Sequence, residues 1–280
     1  MQGKNKVNIL TIDVEDWYMD IDISTWDLYE DRVLNNTNII LKILDKSNIK
    51  ATFFVLGYVA EHFPELIESI TDKDHEIATH GYSHKSIKKL TPVEFEKDLL
   101  KSIQILEKIT KEKIKGHRAC NFSIVEETSW AIDILKKNNL KYDSSVFPVK
   151  THLYGVSGIP ASPYYISSSN IKKNSPEENF LELPLSSYQL PFFHKKIPIS
   201  GGFYLRALPY FFIKSAIKKI NKTNQPVTCY IHPWEFDLKQ PRINELKWYH
   251  YYGLHSTEKK FKRLLKEFKF TSIREWISNA

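Results

Sequence analysis

Apolar positions along this chain alternate between two rhythms. Val7 to Val14 (VNILTIDV) is a continuous aliphatic and β-branched run that ends among acidic residues, the pattern of a buried strand with functional groups at its C-terminal end. Leu34 to Leu44 then spaces its apolar residues at the period of a helix. Ala51 to Leu56 (ATFFVL) predicts a second buried strand, Val59 to Ile70 the following helix, and Glu76 to Thr79 a short third strand that stops at His80. Thr91-Pro92-Val93-Glu94 carries an N-cap threonine, a proline at the first helical position and a glutamate at the third, so a helix is expected from there to Ile109. Ile114 to Arg118, Glu126 to Lys137 and Leu140 to Asp143 continue as strand, helix and strand. Between Phe147 and Gly202 the rhythm dissolves among Pro, Gly and Ser, apart from Phe180 to Leu185, which predicts an insertion with short strands over 147–202. A helix from Pro209 to Ile220, a strand from Val227 to Ile231 and a helix from Glu258 to Phe268 complete the pattern.

Repeated strand-helix alternation predicts an α/β fold with a parallel sheet, in which functional groups gather at the C-terminal ends of strands. The 280 residues, 42% of them hydrophobic, show no compositional break between two halves, and a single domain over 1–280 is expected. The net charge of +7 changes little, because the lysines are scattered over amphipathic segments such as Lys259 to Lys266 and read as solvated helix faces. No spacing of basic and aromatic residues suggests a nucleic-acid partner. Cys120 and Cys229 lie far apart, which argues against a disulfide framework or a thiolate metal site. With a polar Met1 to Lys6, no apolar leader and no apolar run of membrane-spanning length, a soluble, cytoplasmic protein without an integral membrane segment is expected. The oligomeric state leaves no trace in the pattern.

Five polar constellations sit where strands are predicted to end. Asp13-Val14-Glu15-Asp16 crowds three carboxylates into four residues, which a bound cation or full solvation would make tolerable. His80-Gly81-Tyr82-Ser83-His84 has the H-x-x-x-H spacing; in a helical turn both imidazoles would share one face and could reach one ion. Arg118 ends another strand, where a guanidinium can hold a carboxylate ionised and oriented. Asp143 follows the strand after it, and His232 follows VTCYI; a histidine with a carboxylate partner can be kept protonated to donate to a leaving amine. Each has an ordinary structural reading as an acidic turn, a surface histidine or a buried ion pair.

Their order is more informative than any one of them. Asp13, His80 with His84, Arg118, Asp143 and His232 resemble the five ordered motifs of the polysaccharide deacetylase family, carbohydrate esterase family 4 or the NodB homology domain, from Leu10 to about Trp234. The wording TIDVEDWY, HEIATHGYSH, HRACNFSI, YDSSVFP, SGGFYLR and IHPWEFD resembles the branch associated with exopolysaccharide gene clusters. The resemblance implies a distorted (β/α) barrel with about seven strands, one divalent metal (zinc, with cobalt, nickel or manganese as alternatives) and an acetylated glycan or sugar substrate. It implies Asp13 as general base, His80 and His84 as metal ligands, Arg118 as orienter of the base, Asp143 as the residue tuning the acid, and His232 as the acid. Asn121 would lend a backbone donor, and Ile231 would line the acetyl pocket. The family's Asp-Asp pair is replaced here by Asp-Val-Glu-Asp, so its metal carboxylate is Asp16 or Glu15. Asp16 is chosen because the family's ligand is an aspartate, although strand alternation puts Glu15 on the face of Asp13. Tyr82, Trp234 and Arg206, with Trp17, Tyr18 and Tyr204, are further candidates for lining a glycan groove, against the commoner role of large aromatics in the core.

Overall fold

The computed structural model describes residues 7–151, 154–190, 196–199 and 201–279. Its strands are β1 (Val7–Val14), β2 (Thr52–Val55), β3 (Glu76–Thr79), β4 (Gly116–His117), β5 (Tyr142–Asp143), β6 (Tyr164–Tyr165), β7 (Leu181–Glu182), β8 (Ser187–Gln189), β9 (Lys196–Pro198), β10 (Thr228–Ile231) and β11 (Lys269–Thr271). Its helices are α1 (Val33–Ser47), α2 (Gly57–His62), α3 (Pro64–Asp72), α4 (Pro92–Thr110), α5 (Trp130–Lys137), α6 (Gly202–Ala207), α7 (Tyr210–Lys222), α8 (Trp248–Tyr251), α9 (Thr257–Glu267) and α10 (Ile273–Ser278). The single helix expected over Val59 to Ile70 is two, because Pro64 disfavours helical geometry at Phe63, whose φ is −132°. The chain divides into two compact units, one of Met1–Phe53, Lys73–Glu76 and Ile199–Ala280, the other of Phe54–Asp72 and Ile77–Pro198. Part of the expected insertion, at 152–153, 191–195 and 200, lies outside the described residues.

In the first unit β1 pairs in parallel with both β10 and β11, Ile12 opposite Ile231 and Asn8 opposite Phe270. Parallel neighbours need long crossovers, and α9 supplies the one between β10 and β11, burying Phe261, Leu264 and Leu265. Lys259, Lys262 and Lys266 are exposed on the other face, as expected of a solvated charge run, whereas Lys260 is half-buried. The Gly201-Gly202 pair lets α6 start against β10. Gly201 bridges to Tyr230 at a φ of +142°, and a Cβ there would stand 1.7 Å from the Tyr230 carbonyl oxygen. Gly201→Ala is therefore expected to cost about 3 kcal/mol or more in a denaturant titration. A loss of a few tenths would show that the junction yields.

In the second unit β3, β4, β5 and β7 follow one another in parallel, and β6 runs antiparallel to β7. The register aligns Thr79, His117, Asp143 and Glu182 in one row across the four strands. All four are buried, so their polar atoms need partners inside the protein. His117 Nδ1–H donates to Asp143 at 2.7 Å, and the Ser145 hydroxyl and backbone N–H donate to the same carboxylate at 2.7 and 2.9 Å. Burial works against ionising Asp143, yet the hydrogen bond and charge of His117 hold it below the usual aspartate range. Burial pushes Glu182 well above its usual range, reinforced by the negative charge of Asp143, so it stays protonated.

Because the Glu182 pKa is raised on folding, its contribution to stability is full below the ordinary carboxyl range and is lost as pH rises through the elevated value. Glu182→Gln keeps the neutral shape without the titration. Urea unfolding from mildly acidic to alkaline pH is expected to show a shallower loss of stability for the variant; equal slopes would contradict a protonated Glu182.

Candidate active site

The pairing of β1 with β10 sets Ile12 beside Ile231, so the next residues along the two strands are Asp13, one before the end of β1, and His232, just past β10. A carboxylate oxygen of Asp13 lies 3.9 Å from His232 Nε2, and donor atoms of Asp13, Glu15 and His232 all fall within 4.8 Å of one another. On its other side His232 Nδ1–H donates to Glu235 Oε1 at 2.8 Å, and the His232 backbone N–H donates to the same oxygen at 3.0 Å. Burial pulls the imidazole pKa down, but the carboxylates of Glu15, Glu235 and Asp13 outweigh it and raise the value to about 9. His232 is thus set up as a cation with one N–H directed towards Asp13.

The carboxylate partner of His232 corrects two expectations. Asp143, expected to tune the acid, has its oxygens taken by His117 and Ser145, while Glu235 holds the His232 ring. Glu235 is the third residue of the 3-10 helix Pro233–Phe236 and bonds back to its N-cap, a capping-box arrangement. Histidine, proline and glutamate in His-Pro-Trp-Glu therefore occupy cap, first and third positions, a signal present in the sequence and unused. Arg206, expected to line a glycan groove, is buried instead. Its Nε lies 2.8 Å from Glu235 Oε2, and its NH1 donates to the carbonyls of His250 and Tyr252 at 2.7 and 2.6 Å.

Asp16 also differs from expectation. Its Oδ1 accepts from Trp17 N–H at 2.8 Å, and its Oδ2 accepts from the N–H groups of Arg32 and Val33 at 2.6 and 2.8 Å, at the start of α1. Burial pushes its pKa up to about 6 against those three donors. Oδ1 is taken by Trp17 and Oδ2 by the start of α1, and the acidic residue grouped with Asp13 and His232 is Glu15. Among the groove candidates, Trp234 is buried and stacked between His232 and His250, at 5.0 and 4.0 Å between ring centroids. Ile231 is buried in β10. Trp17 and Tyr18 are core aromatics packed edge to face.

In the second unit His80 and His84 leave β3 in an irregular loop, so helical i,i+4 spacing does not bring them together. Positive φ angles of 74° at Gly81 and 52° at His84 turn the loop back, and the two rings end 5.5 Å apart. His80 Nδ1–H donates to the Arg118 carbonyl at 2.7 Å, which leaves Nε2 as the lone-pair nitrogen. Asp98 of α4 holds the loop by accepting from Tyr82 N–H at 2.7 Å and from the Ser83 backbone and hydroxyl at 3.2 and 2.5 Å. Nothing in the sequence pattern had singled Asp98 out. Asp98→Ala is expected to weaken zinc binding about 10–100-fold, the usual cost of losing an outer support; chelator competition would read it, and unchanged affinity would contradict the role. Tyr82 is turned onto α2 and α4, its hydroxyl donating to Glu61 at 2.5 Å and Lys101 lying 3.4 Å over its ring. Arg118 is fully buried, donates to Ser144 at 2.9 and 2.7 Å and stacks over Phe54. Asn121 is exposed and left-handed, with a φ of 53°.

The two imidazoles of the second unit, one with its tautomer fixed from behind, are a donor set suited to zinc or a similar divalent ion, and in the first unit Asp13 and Glu15 are neighbouring carboxylates. The cysteines are not part of it: both are buried, and burial pushes the Cys229 thiol up to about 12.

Residues 19–142 match the family model described as polysaccharide deacetylase, and residues 144–278 match a domain of unknown function, DUF3473. A peptidoglycan deacetylase of Helicobacter pylori is 30% identical over 174 residues, covering 59% of this chain and 58% of the relative. A peptidoglycan-N-acetylglucosamine deacetylase of Bacillus cereus is 31% identical over 121 residues, covering 37% of this chain and 43% of the relative. The chain thus spans about half the length of these curated relatives. Among solved structures, a Mycobacterium smegmatis protein classed with the polysaccharide deacetylases superposes with a TM-score of 0.63 at 18% identity, over 99% of this chain and 91% of the other. The PuuE allantoinase gives 0.63 at 13% identity, over 97% and 88%. The fold expected from the resemblance is the one these structures share.

Proposed function

From the premise that residues 19–142 carry a polysaccharide deacetylase domain of the NodB type, we infer that this chain is a metal-dependent hydrolase. It removes N-acetyl groups from sugar residues of a surface glycan or exopolysaccharide, or of its precursor. The observation that carries this reading is the pair left by adjacent strands β1 and β10: a carboxylate, Asp13, 3.9 Å from Nε2 of a histidine, His232, whose Nδ1–H is held by Glu235. One group that takes a proton and one that gives a proton, side by side, are what hydrolysis of an amide requires.

The family's assignment gives His80 and His84 to the metal together with an acidic residue of the first motif, for which Glu15 is better suited than Asp16. When bound, the ion would acidify a water molecule and polarise the acetyl carbonyl. Asp13 accepts the proton of the attacking water as its oxygen bonds to the carbonyl carbon. Arg118 is assigned to orient Asp13, and the Asn121 backbone N–H to donate to the carbonyl oxygen as charge builds on it. The carbon–nitrogen bond then breaks, the electron pair stays on nitrogen, and His232 Nε2–H protonates it. Acetate and a free amino sugar are the products.

The test is a comparison of three substrates on the zinc-loaded protein: N-acetylglucosamine oligomers, an O-acetylated polysaccharide and a small cyclic amide. Acetate and free amine released in equal amounts from the oligomers are expected. Turnover confined to the ester or the cyclic amide would replace the substrate assignment, and a protein that binds oligomers without turnover would be a glycan-binding module.

A further inference from the structure

We propose that Glu235, itself held by Arg206, is the positioning residue of His232: it fixes the imidazole with Nδ1 protonated and aims Nε2 at Asp13. The proposal rests on the functional reading above only for the identity of the proton acceptor. Glu235 is fully buried and each oxygen has one task. Oε1 accepts from both the backbone N–H and Nδ1–H of His232, which ties the ring to its own main chain, and Oε2 faces Arg206 Nε at 2.8 Å.

A buried carboxylate is expensive unless matched by charge and hydrogen bonds; Arg206 supplies the opposite charge from a fixed position, and His232 the hydrogen bonds. The Arg206 guanidinium is clamped by the His250 and Tyr252 carbonyls. The helix that carries it, α6, is pinned at its start by the bridge from Gly201 to Tyr230 and at its end by Lys260 Nζ, which donates to the Leu205, Arg206 and Leu208 carbonyls at 2.9, 2.7 and 2.8 Å. Trp234 stacks on one side of the His232 ring at 5.0 Å, and Tyr230 meets it edge-on at 5.4 Å. With Nδ1 and these flanks occupied, Nε2 is the edge directed to chemistry.

In the bond-breaking step the Nε2 proton moves to the departing nitrogen while Nδ1–H stays on Glu235, and the imidazole becomes neutral. The proton gained by Asp13 returns to His232 through solvent, closing the cycle. Arg206 and Glu235 act only through His232 and touch neither substrate nor metal.

The experiment compares zinc-loaded wild type and Glu235→Gln on two substrates that differ in their need for an acid. An amine must be protonated to leave, whereas nitrophenolate departs unaided. Turnover of N-acetylglucosamine oligomers is expected to fall about 10²–10⁴-fold, the usual contribution of a positioned acid, and hydrolysis of p-nitrophenyl acetate less than about 10-fold. Equal losses on both substrates, or none on either, would overturn the proposal. Should the variant fail to fold, the wild type alone decides: a strongly deshielded His232 Nδ1–H proton resonance is expected, and a neutral ring protonated at Nε2 alone would overturn it. Wild type that hydrolyses the ester but leaves the oligomers intact contradicts the deacetylase reading, while the resonance still decides how the ring is held.

Discussion

Asp13→Asn is expected to lower deacetylation turnover by about 10²–10⁴-fold while the protein stays folded and keeps its metal. Asn preserves the shape of the side chain at the end of β1 but cannot accept a proton at neutral pH. The substitution also removes one of three carboxylates that raise the His232 pKa, so the acid loses support at the same time. Metal retention follows from the assignment of the ion to His80, His84 and Glu15. Steady-state turnover with metal content measured on the same sample checks both halves; normal turnover would show that another group takes the proton, and loss of metal would make Asp13 a ligand.

His80→Ala is expected to have the opposite signature, with the metal lost first and activity lost as a consequence. His80 is buried and its Nδ1 is anchored on the Arg118 carbonyl, which fixes the ring and assigns coordination to Nε2. A ligand present at a hundred times its dissociation constant stabilises the folded state by about 2.7 kcal/mol, so wild type should melt at a higher temperature when zinc is added. The variant should show no zinc-dependent rise. A variant that still melts higher in zinc would place the ion elsewhere.

Long periodic segments made most of the fold legible before any coordinates. β1 is found over the expected residues because its continuous apolar run has no competing reading, and α4 starts where Thr91, Pro92 and Glu94 place it. What escaped was short: α6, α8, β11 and α10 have only three to six residues each, too few to display a period. The polar row of Thr79, His117, Asp143 and Glu182 also escaped, because it exists only through strand register.

At the site, the base and acid candidates were legible because each ends a strand, and the pairing of β1 with β10 brings those two ends together. The partner that holds the acid's ring was not. Asp143 and Glu235 are both acidic neighbours of strand ends, and motif order favoured Asp143; the hydrogen bond from His232 selects Glu235. Asp16 and Glu15 differ by one position along the chain, and only the bonds from the start of α1 to Asp16 separate their tasks. Arg206 was a groove candidate by its place near predicted strand ends, whereas its charge faces a buried glutamate.

The most direct test is acetate release from N-acetylglucosamine oligomers, followed in one preparation as zinc is removed with a chelator and then restored. Release that stops on removal and returns with zinc is the expected result. Release that continues undiminished in the metal-free protein would contradict a metal-dependent deacetylase.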